Sequence, residues 1–336
     1  MKWYITYQQR EGAYGGANSF FHAFSEWCEE NDMLVTTPEN ADIILMNSHH
    51  ELDYFLKLRR AFPEKIFVHR LGPIFSLHRG ACFEVWDRLI IDIACRFSDG
   101  IVFQSKWSEH AAKEFGWKKQ IPSTVITNAA NPKIFLPKSL QMPSKPLRII
   151  ATGWSQNANK GLDWLAYLDH ALDPTQFHIS YFGHCPIVFE NINVHPPIDP
   201  SELAKELRAH DIYFSPVTND ACSMGLVEGL TVGLPAVARA SGGNPELVPA
   251  NNGVLFSSKE ELLSAFSVIA NDYLKYAQNV RHESINDVGN CYIDFASSLS
   301  TNKRIKNSFL FSAFIYRVMV WFWRFYLRVC QKICRF

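Results

Sequence analysis

The sequence lacks the cysteine and histidine spacing of a zinc finger. Its eight cysteines include no CxxC pair, and none has a histidine at finger spacing. Most of them stand among apolar residues, which is typical of reduced core thiols. The amino terminus, MKWYITYQQ, lacks the apolar core of a signal peptide. We therefore expect a protein of the reducing cytoplasm with no structural zinc site.

The carboxyl-terminal segment lacks acidic residues and long uncharged runs. Residues 303–336 hold eight basic residues and no acidic one, which leaves 25 basic against 33 acidic residues in the first 302. The body thus carries a charge of about −8, which argues against general nucleic-acid binding. The longest charge-free run of the tail covers eight residues, 309–316, whereas a membrane-spanning helix needs about twenty.

The tail instead has the pattern of an amphipathic helix. From position 317 onward, its basic residues fall within a sector of roughly 80° on a helical wheel, and the rest is mostly aromatic and aliphatic. This pattern predicts a helix lying in the membrane interface with its basic side toward anionic headgroups, peripheral to the inner face of the cell membrane. A helix packed on the body or forming a dimer is the alternative.

Apart from the tail, short apolar runs alternate with helical periodicity, which predicts a mostly parallel sheet covered by helices on both faces. The linker candidate is 131–146, with four prolines and no clear period. We predict an α/β protein with domains at 1–135 and 145–285 and a tail at 300–336. The predicted strands are 2–7, 33–37, 43–47, 65–70, 100–105 and 123–128, then 147–153, 178–183, 191–196, 211–217, 235–240 and 253–256. The predicted helices include 82–97, 106–116, 160–171, 200–209, 223–233 and 258–283.

Two loops above these sheets have the composition of phosphate-binding loops. GAYGG, which contains Gly15 and Gly16, lies between a strand and a helix, where glycine allows close backbone approach and a helix amino terminus attracts anions. WSQNANKG follows the strand LRIIATG and places Lys160 near a helix start, where its ammonium suits a phosphate. An ordinary turn and a solvated surface lysine are the alternatives.

Two acids flank a small apolar segment in NDACSMGLVEG. Asp220 precedes the predicted helix and Glu228 lies within it, so about 12 Å of helix would separate them. Paired carboxyl groups of glycoside hydrolases lie only about 5 to 9.5 Å apart, so the two acids are expected to hold two ends of one ligand. Amides near Gly225 would supply donors between them. A ligand that matches this order has hydroxyls at both ends and a negative charge between them, as a nucleoside-diphosphate sugar does. A helix cap at Asp220 is the simpler alternative.

The run NDACSMGLVEGLTVGLPAVARASGGNPELV resembles the E-x7-E region of retaining family 4 glycosyltransferases. WSQNANKG, VITNAANPKIF and GAYGGANSF resemble further segments of that family, in the same order and over about residues 1–280. The resemblance implies a GT-B fold, with two Rossmann-like domains facing across a cleft. It also implies a glycosyltransferase that takes a sugar from a nucleotide-diphosphate sugar with retention of configuration, without a cofactor or metal.

The resemblance also implies a role for each matching residue. Asp220 would hold the donor sugar, and Glu228 the ribose. Lys160 would meet the diphosphate, and backbone amides would assist it. The donor-binding set is Gly15, Gly16, Lys160, Ser223, Gly225, Leu226 and Glu228.

The catalytic set would be Asp220 and His69, because a histidine after a first-domain strand lies near the transferred sugar in this family. His22 and His78 are alternatives to His69, and a structural histidine is the commoner case.

The sequence departs from this family at two positions. Asp220 is one methylene shorter than the usual Glu. Trp154 stands where many relatives have an arginine, so a phosphate cation is missing unless Arg239 or Arg70 supplies it.

Because the tail is expected to hold the enzyme on a membrane, we expect it to transfer the sugar to a hydroxyl of a lipid-linked or cell-surface glycan. A nucleotide-sugar epimerase or hydrolase, and a catalytically degenerate binding subunit of a glycan assembly complex, are the alternative functions.

Overall fold

The computed structural model describes residues 1–299 and 307–333, and the side chains of 158, 307–312 and 329–333 lie outside the description. The part of the tail prediction that rests on 300–306 and 334–336 also lies outside the described residues. The described chain divides into two compact units: residues 1–8, 25–126 and 289 onward form the first, and residues 9–24 and 127–288 form the second. The sequence-based domain boundaries remain a prediction.

Strands and helices alternate through most of both units. The strands are β1 Trp3–Ile5, β2 Ile43–Asn47, β3 Ile66–Arg70, β4 Gly100–Phe103, β5 Ser123–Val125, β6 Leu147–Gly153, β7 Phe177–Gly183, β8 Ile192–His195, β9 Ile212–Ser215, β10 Ala236–Arg239 and β11 Gly253–Phe256. The helices are α1 Gly16–Glu30, α2 Leu52–Ala61, α3 Ser76–Arg79, α4 Glu84–Phe97, α5 Lys106–Ala112, α6 Leu162–Ala171, α7 Pro200–Ala209, α8 Met224–Val232, α9 Asn244–Leu247, α10 Lys259–Asn271, α11 Tyr273–Ala277, α12 Ile285–Ser298 and α13 Asn307–Ile333.

The first unit is built on a five-stranded parallel sheet in the order β1-β2-β3-β4-β5. Every residue of β2 and β4 is buried, as expected for strands covered on both faces. Phe55 on α2 and Trp86 on α4 belong to the core of this unit. A buried ion pair joins Arg59 to Asp99 at 3.0 Å, and Asp99 also accepts the amide of Phe67 at 2.8 Å.

The second unit is built on a six-stranded parallel sheet in the order β11-β10-β9-β6-β7-β8. The strand order reverses beside β6, because the chain moves outward to β7 and β8 before it returns to β9. Ligands of such sheets bind beyond the carboxyl ends of the strands near this reversal. The loops after β6 and β9 contain the predicted Lys160 and Asp220.

Two predicted elements differ from the structure. MLVTT, 33–37, forms no strand; a single bridge joins Leu34 to Trp3, and a short 3₁₀ turn follows at Pro38–Asn40. The predicted helix 258–283 is divided at Asp272 into α10 and α11.

The tail forms the long helix α13, which packs against α2 and α4 of the first unit. Ala313, Val320 and Leu327 are buried in the core of that unit. The Tyr316 hydroxyl donates to the Asp92 carboxylate, and Arg317 forms an ion pair with Asp53 at 2.5 Å.

The outer side of α13 differs from the sequence-based expectation. We expected basic residues on the outward side; Arg328 is exposed there, but Arg317 turns toward α2. Large apolar side chains are exposed as well, and we call them the apolar face of α13: Phe314, Ile315, Val318, Met319, Trp321, Phe322, Phe325 and Tyr326. Among the described residues, no helix has both the length and the apolar character needed to cross a bilayer.

Candidate functional site

Asp220 follows β9 and faces a lysine from the loop after β6. The Lys160 ammonium lies 3.2 Å from Asp220 Oδ2, and each side chain is 22% exposed. The other carboxylate oxygen accepts the amide of Cys222 at 3.3 Å. The structure therefore joins the two residues that the sequence analysis assigned to the donor sugar and to the diphosphate.

The SGG segment holds the Asp220 loop in place. Gly243 donates its amide to the Asp220 carbonyl at 2.8 Å, and the Asn219 amide donates to Ser241 Oγ at 3.1 Å. Gly242 has a φ of +63°, and a Cβ there would lie 2.3 Å from the Asp220 carbonyl oxygen. A glycine is required at this position both by the backbone conformation and by the close approach of the two loops.

Helix α8 begins at Met224 directly over β6 and β9. A Cβ on Gly225 would lie 2.4 Å from both Thr152 Oγ1 and the Tyr213 hydroxyl. Those two oxygens are hydrogen-bonded to each other at 2.7 Å. The absence of a side chain at Gly225 lets the first turn of α8 rest on the strand ends, and it leaves the amide end of the helix close to the carboxyl edge of the sheet.

Ser223 and Leu226 complete the predicted donor set on α8. Ser223 occupies the N-cap position, but its hydroxyl makes no capping hydrogen bond. Leu226 is completely buried, so its side chain packs in the protein and only its backbone could serve a ligand.

Glu228 is 5% exposed and lies on α8 among apolar neighbours. Burial raises the pKa of its carboxyl to about 8, although a hydrogen bond from the Ser19 hydroxyl opposes the shift. Ser19 belongs to α1, in the same unit as Glu228. The acid was predicted from the sequence and this hydroxyl was not, although Ser19 stands only three residues after the glycine loop GAYGG.

The glycine loop lies against the same helix start. A Cβ on Gly16 would lie 2.6 Å from Met224 Cβ, so α1 and α8 approach each other closely at their first residues. A Cβ on Gly15 would lie 3.4 Å from the Trp154 ring, and the Tyr14 and Trp154 rings lie 5.4 Å apart. The second unit therefore contains all seven predicted donor residues and Asp220.

His69 lies in the first unit, on β3, and its side chain is completely buried. Its Nε2 donates to the Ser48 carbonyl oxygen at 2.8 Å, and burial lowers its pKa to about 4. The ring is therefore neutral at physiological pH, and its role near a sugar remains a prediction. Of its competitors, His22 is exposed and donates to the Arg10 carbonyl oxygen at 2.9 Å, and His78 is partly exposed on α3.

The two arginines considered as a further phosphate cation have other contacts. Arg70 is 2% exposed and donates to Asn47 Oδ1 at 2.6 Å in the first unit. The Arg239 guanidinium lies 4.5 Å from the centre of the Trp164 ring. Within 1–299 and 307–333, no three metal-ligating side chains come together.

Residues 147–272 match the family model described as glycosyl transferases group 1. The chain carries a group 1 glycosyltransferase domain. This domain contains β6 to β11 and α8, and therefore the Lys160–Asp220 pair and Glu228.

Solved structures show that the chain has the GT-B fold over most of its length. HepE of Anabaena, in complex with UDP and glucose, matches 89% of this chain over 100% of its own, with a TM-score of 0.68 and 16% identity. WaaG, a glycosyltransferase involved in lipopolysaccharide biosynthesis, matches 89% of this chain over 100% of its own, with a TM-score of 0.64 and 12% identity. Sucrose-phosphate synthase from Thermosynechococcus elongatus matches 83% of this chain over 75% of its own, with a TM-score of 0.60 and 16% identity. No curated protein sequence matches the chain significantly.

Proposed function

We propose that this glycosyltransferase takes its sugar from a nucleoside-diphosphate sugar and places it, with retention of configuration, on a hydroxyl of an amphiphilic glycan acceptor. The Lys160–Asp220 pair at 3.2 Å, close to the start of α8, is the observation that carries this proposal. It puts a phosphate ligand and a hydroxyl acceptor side by side at the strand ends, where the ligands of such sheets bind.

The roles of the site residues follow from their chemistry. Lys160 and the amides at the start of α8 would stabilise the negative charge that develops on the departing diphosphate. Asp220 would accept hydrogen bonds from sugar hydroxyls, and Glu228 from the ribose. Since these groups already supply positive charge to the diphosphate, we expect the activity to persist in EDTA.

Donor binding should separate Lys160 from Asp220. In the ligand-free protein the two groups neutralise each other, and a diphosphate would compete for the ammonium while sugar hydroxyls compete for the carboxylate. In the complex the ammonium gains the opposite charge of the diphosphate, and the carboxylate gains charge-assisted hydrogen bonds from the sugar hydroxyls.

UDP-glucose is the first donor to test, because HepE has been solved with it bound. Calorimetric titration of the full chain with UDP-glucose, GDP-mannose and ADP-glucose should reveal one preferred nucleotide. Glu228→Ala should lower the affinity at least tenfold, since it removes the proposed ribose ligand. Glu260→Ala, exposed at the start of α10 and outside these motifs, is the control and should bind normally. Unchanged binding by Glu228→Ala would falsify the ribose assignment.

The apolar face of α13 supports a membrane-associated acceptor. Trp321 is 69% exposed, and Phe322 and Phe325 are 55% and 58% exposed. Aromatic side chains presented in this way favour the bilayer interface, and the surrounding basic residues suit anionic lipids. We propose that α13 holds the enzyme on a membrane while the rest of the first unit supports it.

Sedimentation with vesicles tests this surface. Wild-type protein should co-sediment with vesicles of phosphatidylglycerol and phosphatidylcholine, and a Phe322→Ser/Phe325→Ser variant should bind several-fold more weakly because it loses apolar contact area. Leu136→Ser/Leu140→Ser is the control, since these side chains are also exposed but lie outside α13. Equal binding by both variants would rule out the apolar face as the anchor.

A further inference from the structure

The first unit contains a cluster of aromatic and basic side chains that the sequence analysis did not single out. His49 and His50 follow β2, and their rings lie 4.1 Å apart. The His49 ring meets Phe75 edge-on at 4.6 Å, and the Arg79 guanidinium lies 5.2 Å from the centre of the same Phe75 ring. Tyr7 lies against His50 at 4.9 Å. The cluster lies beyond the carboxyl end of β2.

Helix α13 brings a second arginine to this cluster. Arg317 is fixed to Asp53, in the first turn of α2. Arg324 follows seven residues later, so it lies on nearly the same face of α13 and about 10.5 Å further along. His49 stands four residues before Asp53, just ahead of α2. The tail helix thus continues past the amino end of α2, and Arg324 comes toward His49.

The electrostatics of His49 agree with this placement. Burial lowers the pKa of His49 well below its usual value, and the neighbouring His50, Arg79 and Arg324 lower it further. In the part of the chain that the structure describes, neither Arg79 nor Arg324 forms an ion pair with a carboxylate. Asp53, the acid in the first turn of α2, already pairs with Lys57 and Arg317.

We propose that His49, Arg79 and Arg324 form an anion subsite that binds the phosphate group of an amphiphilic acceptor. Two guanidinium groups without carboxylate partners suit a phosphate, which each can meet with paired N–H donors. Phe325 and Phe322, exposed beside Arg324 on the same helix, would contact the apolar chain of that acceptor. The inference rests on the proposed function, because it names the acceptor that the glycosyltransferase would use.

Binding of octyl phosphate to the full chain tests the subsite. Calorimetric titrations would compare octyl phosphate with octyl glucoside, which has the same alkyl chain but no charge, and with inorganic phosphate, which has no chain. We expect octyl phosphate to bind at least tenfold more tightly than either. Arg324→Gln and Arg79→Gln should each weaken octyl phosphate at least tenfold.

Arg328→Gln is the matched control, since Arg328 is exposed one turn further along α13. It should bind octyl phosphate as the wild type does. An equal loss in Arg324→Gln and Arg328→Gln, or octyl glucoside binding as tightly as octyl phosphate, would overturn the subsite. If inorganic phosphate bound as tightly as octyl phosphate, the proposal that the ligand is an amphiphile would be wrong.

UDP-glucose binding by the same variants separates this inference from the proposed function. Arg324→Gln and Arg79→Gln should retain wild-type donor affinity, which also shows that they fold. Loss of donor binding in Glu228→Ala together with an unaltered octyl phosphate affinity would support the donor site and the subsite independently. If wild-type protein binds no nucleotide sugar but still binds octyl phosphate through Arg324, the proposed donor fails while the anion subsite stands.

Discussion

At the scale of single residues, Glu228 links the stability of the empty protein to pH. Its pKa rises from 4.5 to about 8 on folding, so the folded state keeps a proton that the unfolded chain releases. The stability from this group is complete below about pH 4.5 and is lost as the pH rises through about 8. Relative to Glu228→Gln, the wild-type free energy of unfolding should therefore fall by roughly 3–5 kcal/mol between about pH 5 and 9.

Urea unfolding at several pH values measures this difference. Ser19→Ala provides a second variant, because removing the hydroxyl that opposes the shift should raise the pKa further and extend the loss of stability to higher pH. Parallel stability curves for wild type and Glu228→Gln would show that the carboxyl is not held protonated.

Gly225 should tolerate no side chain. Gly225→Ala would place a methyl group against Thr152 and Tyr213 and should cost about 1–3 kcal/mol of unfolding free energy. Tyr213→Phe removes one of the two oxygens. Gly225→Ala should therefore cost less unfolding free energy in the Tyr213→Phe background than in the wild type. Urea unfolding of the four proteins checks this, and strictly additive losses would contradict the proposed clash.

The sequence predicted the residues of the second unit more fully than those of the first. Lys160, Asp220 and Glu228 lie within short motifs, so their local spacing identifies them. His49, Phe75 and Arg324 lie far apart in the chain. His49 and Phe75 meet beyond the ends of the neighbouring strands β2 and β3, and the packing of α13 adds Arg324. Neither His49 nor Phe75 stands in a motif, so no local signal could have revealed their cluster.

At the scale of secondary-structure elements, neighbouring residues of α13 lie in opposite environments, one buried against the first unit and the next exposed. Val320 is 1% exposed and Trp321 is 69% exposed. Val320→Asp would bury an unpaired carboxylate and should lower the unfolding free energy by about 3 kcal/mol or more. Trp321→Asp should change it by less than about 0.5 kcal/mol. Urea unfolding followed by circular dichroism measures both, and equal losses would mean that α13 does not pack as described.

Element type was easier to predict than element limits. Buried runs such as IILMN at β2 have a clear pattern, because strands covered on both faces are continuously apolar. The expected strand at 33–37 was wrong because the segment forms a single bridge to β1, through the backbone hydrogen bonds of Met33 and Val35 with Trp3. The orientation of α13 was also unpredictable, since a helical wheel identifies a basic sector but not the ion pair that turns Arg317 toward Asp53.

At the scale of the whole molecule, charge is divided between an acidic body and a basic tail. Raising the salt concentration screens both the attraction of the tail to anionic lipid and the repulsion of the body from it. The attraction should dominate because the apolar face of α13 holds the tail at the surface. Binding to vesicles with phosphatidylglycerol should therefore weaken several-fold between about 50 and 500 mM NaCl, and it should persist in part through apolar contacts.

Vesicles of phosphatidylcholine alone provide the control. Binding to them should be weaker at low salt and should change little on adding salt. Tighter binding to anionic vesicles at high salt would mean that repulsion by the body outweighs the tail.

The GT-B fold and the glycosyltransferase domain were both predictable from the sequence, because ordered motifs and alternating strands and helices extend over most of the chain. The composition of the tail indicated a separate role but could not show which side chains face outward.

The Lys160–Asp220 pair has a consequence for the end of the catalytic cycle. On the proposed roles, a nucleotide without its sugar binds the Lys160 ammonium and separates it from the Asp220 carboxylate. The Asp220 carboxylate then competes with the phosphates of the spent nucleotide for the Lys160 ammonium. Product release would be assisted from within the site, and free UDP should be a weaker inhibitor than its phosphate contacts alone suggest.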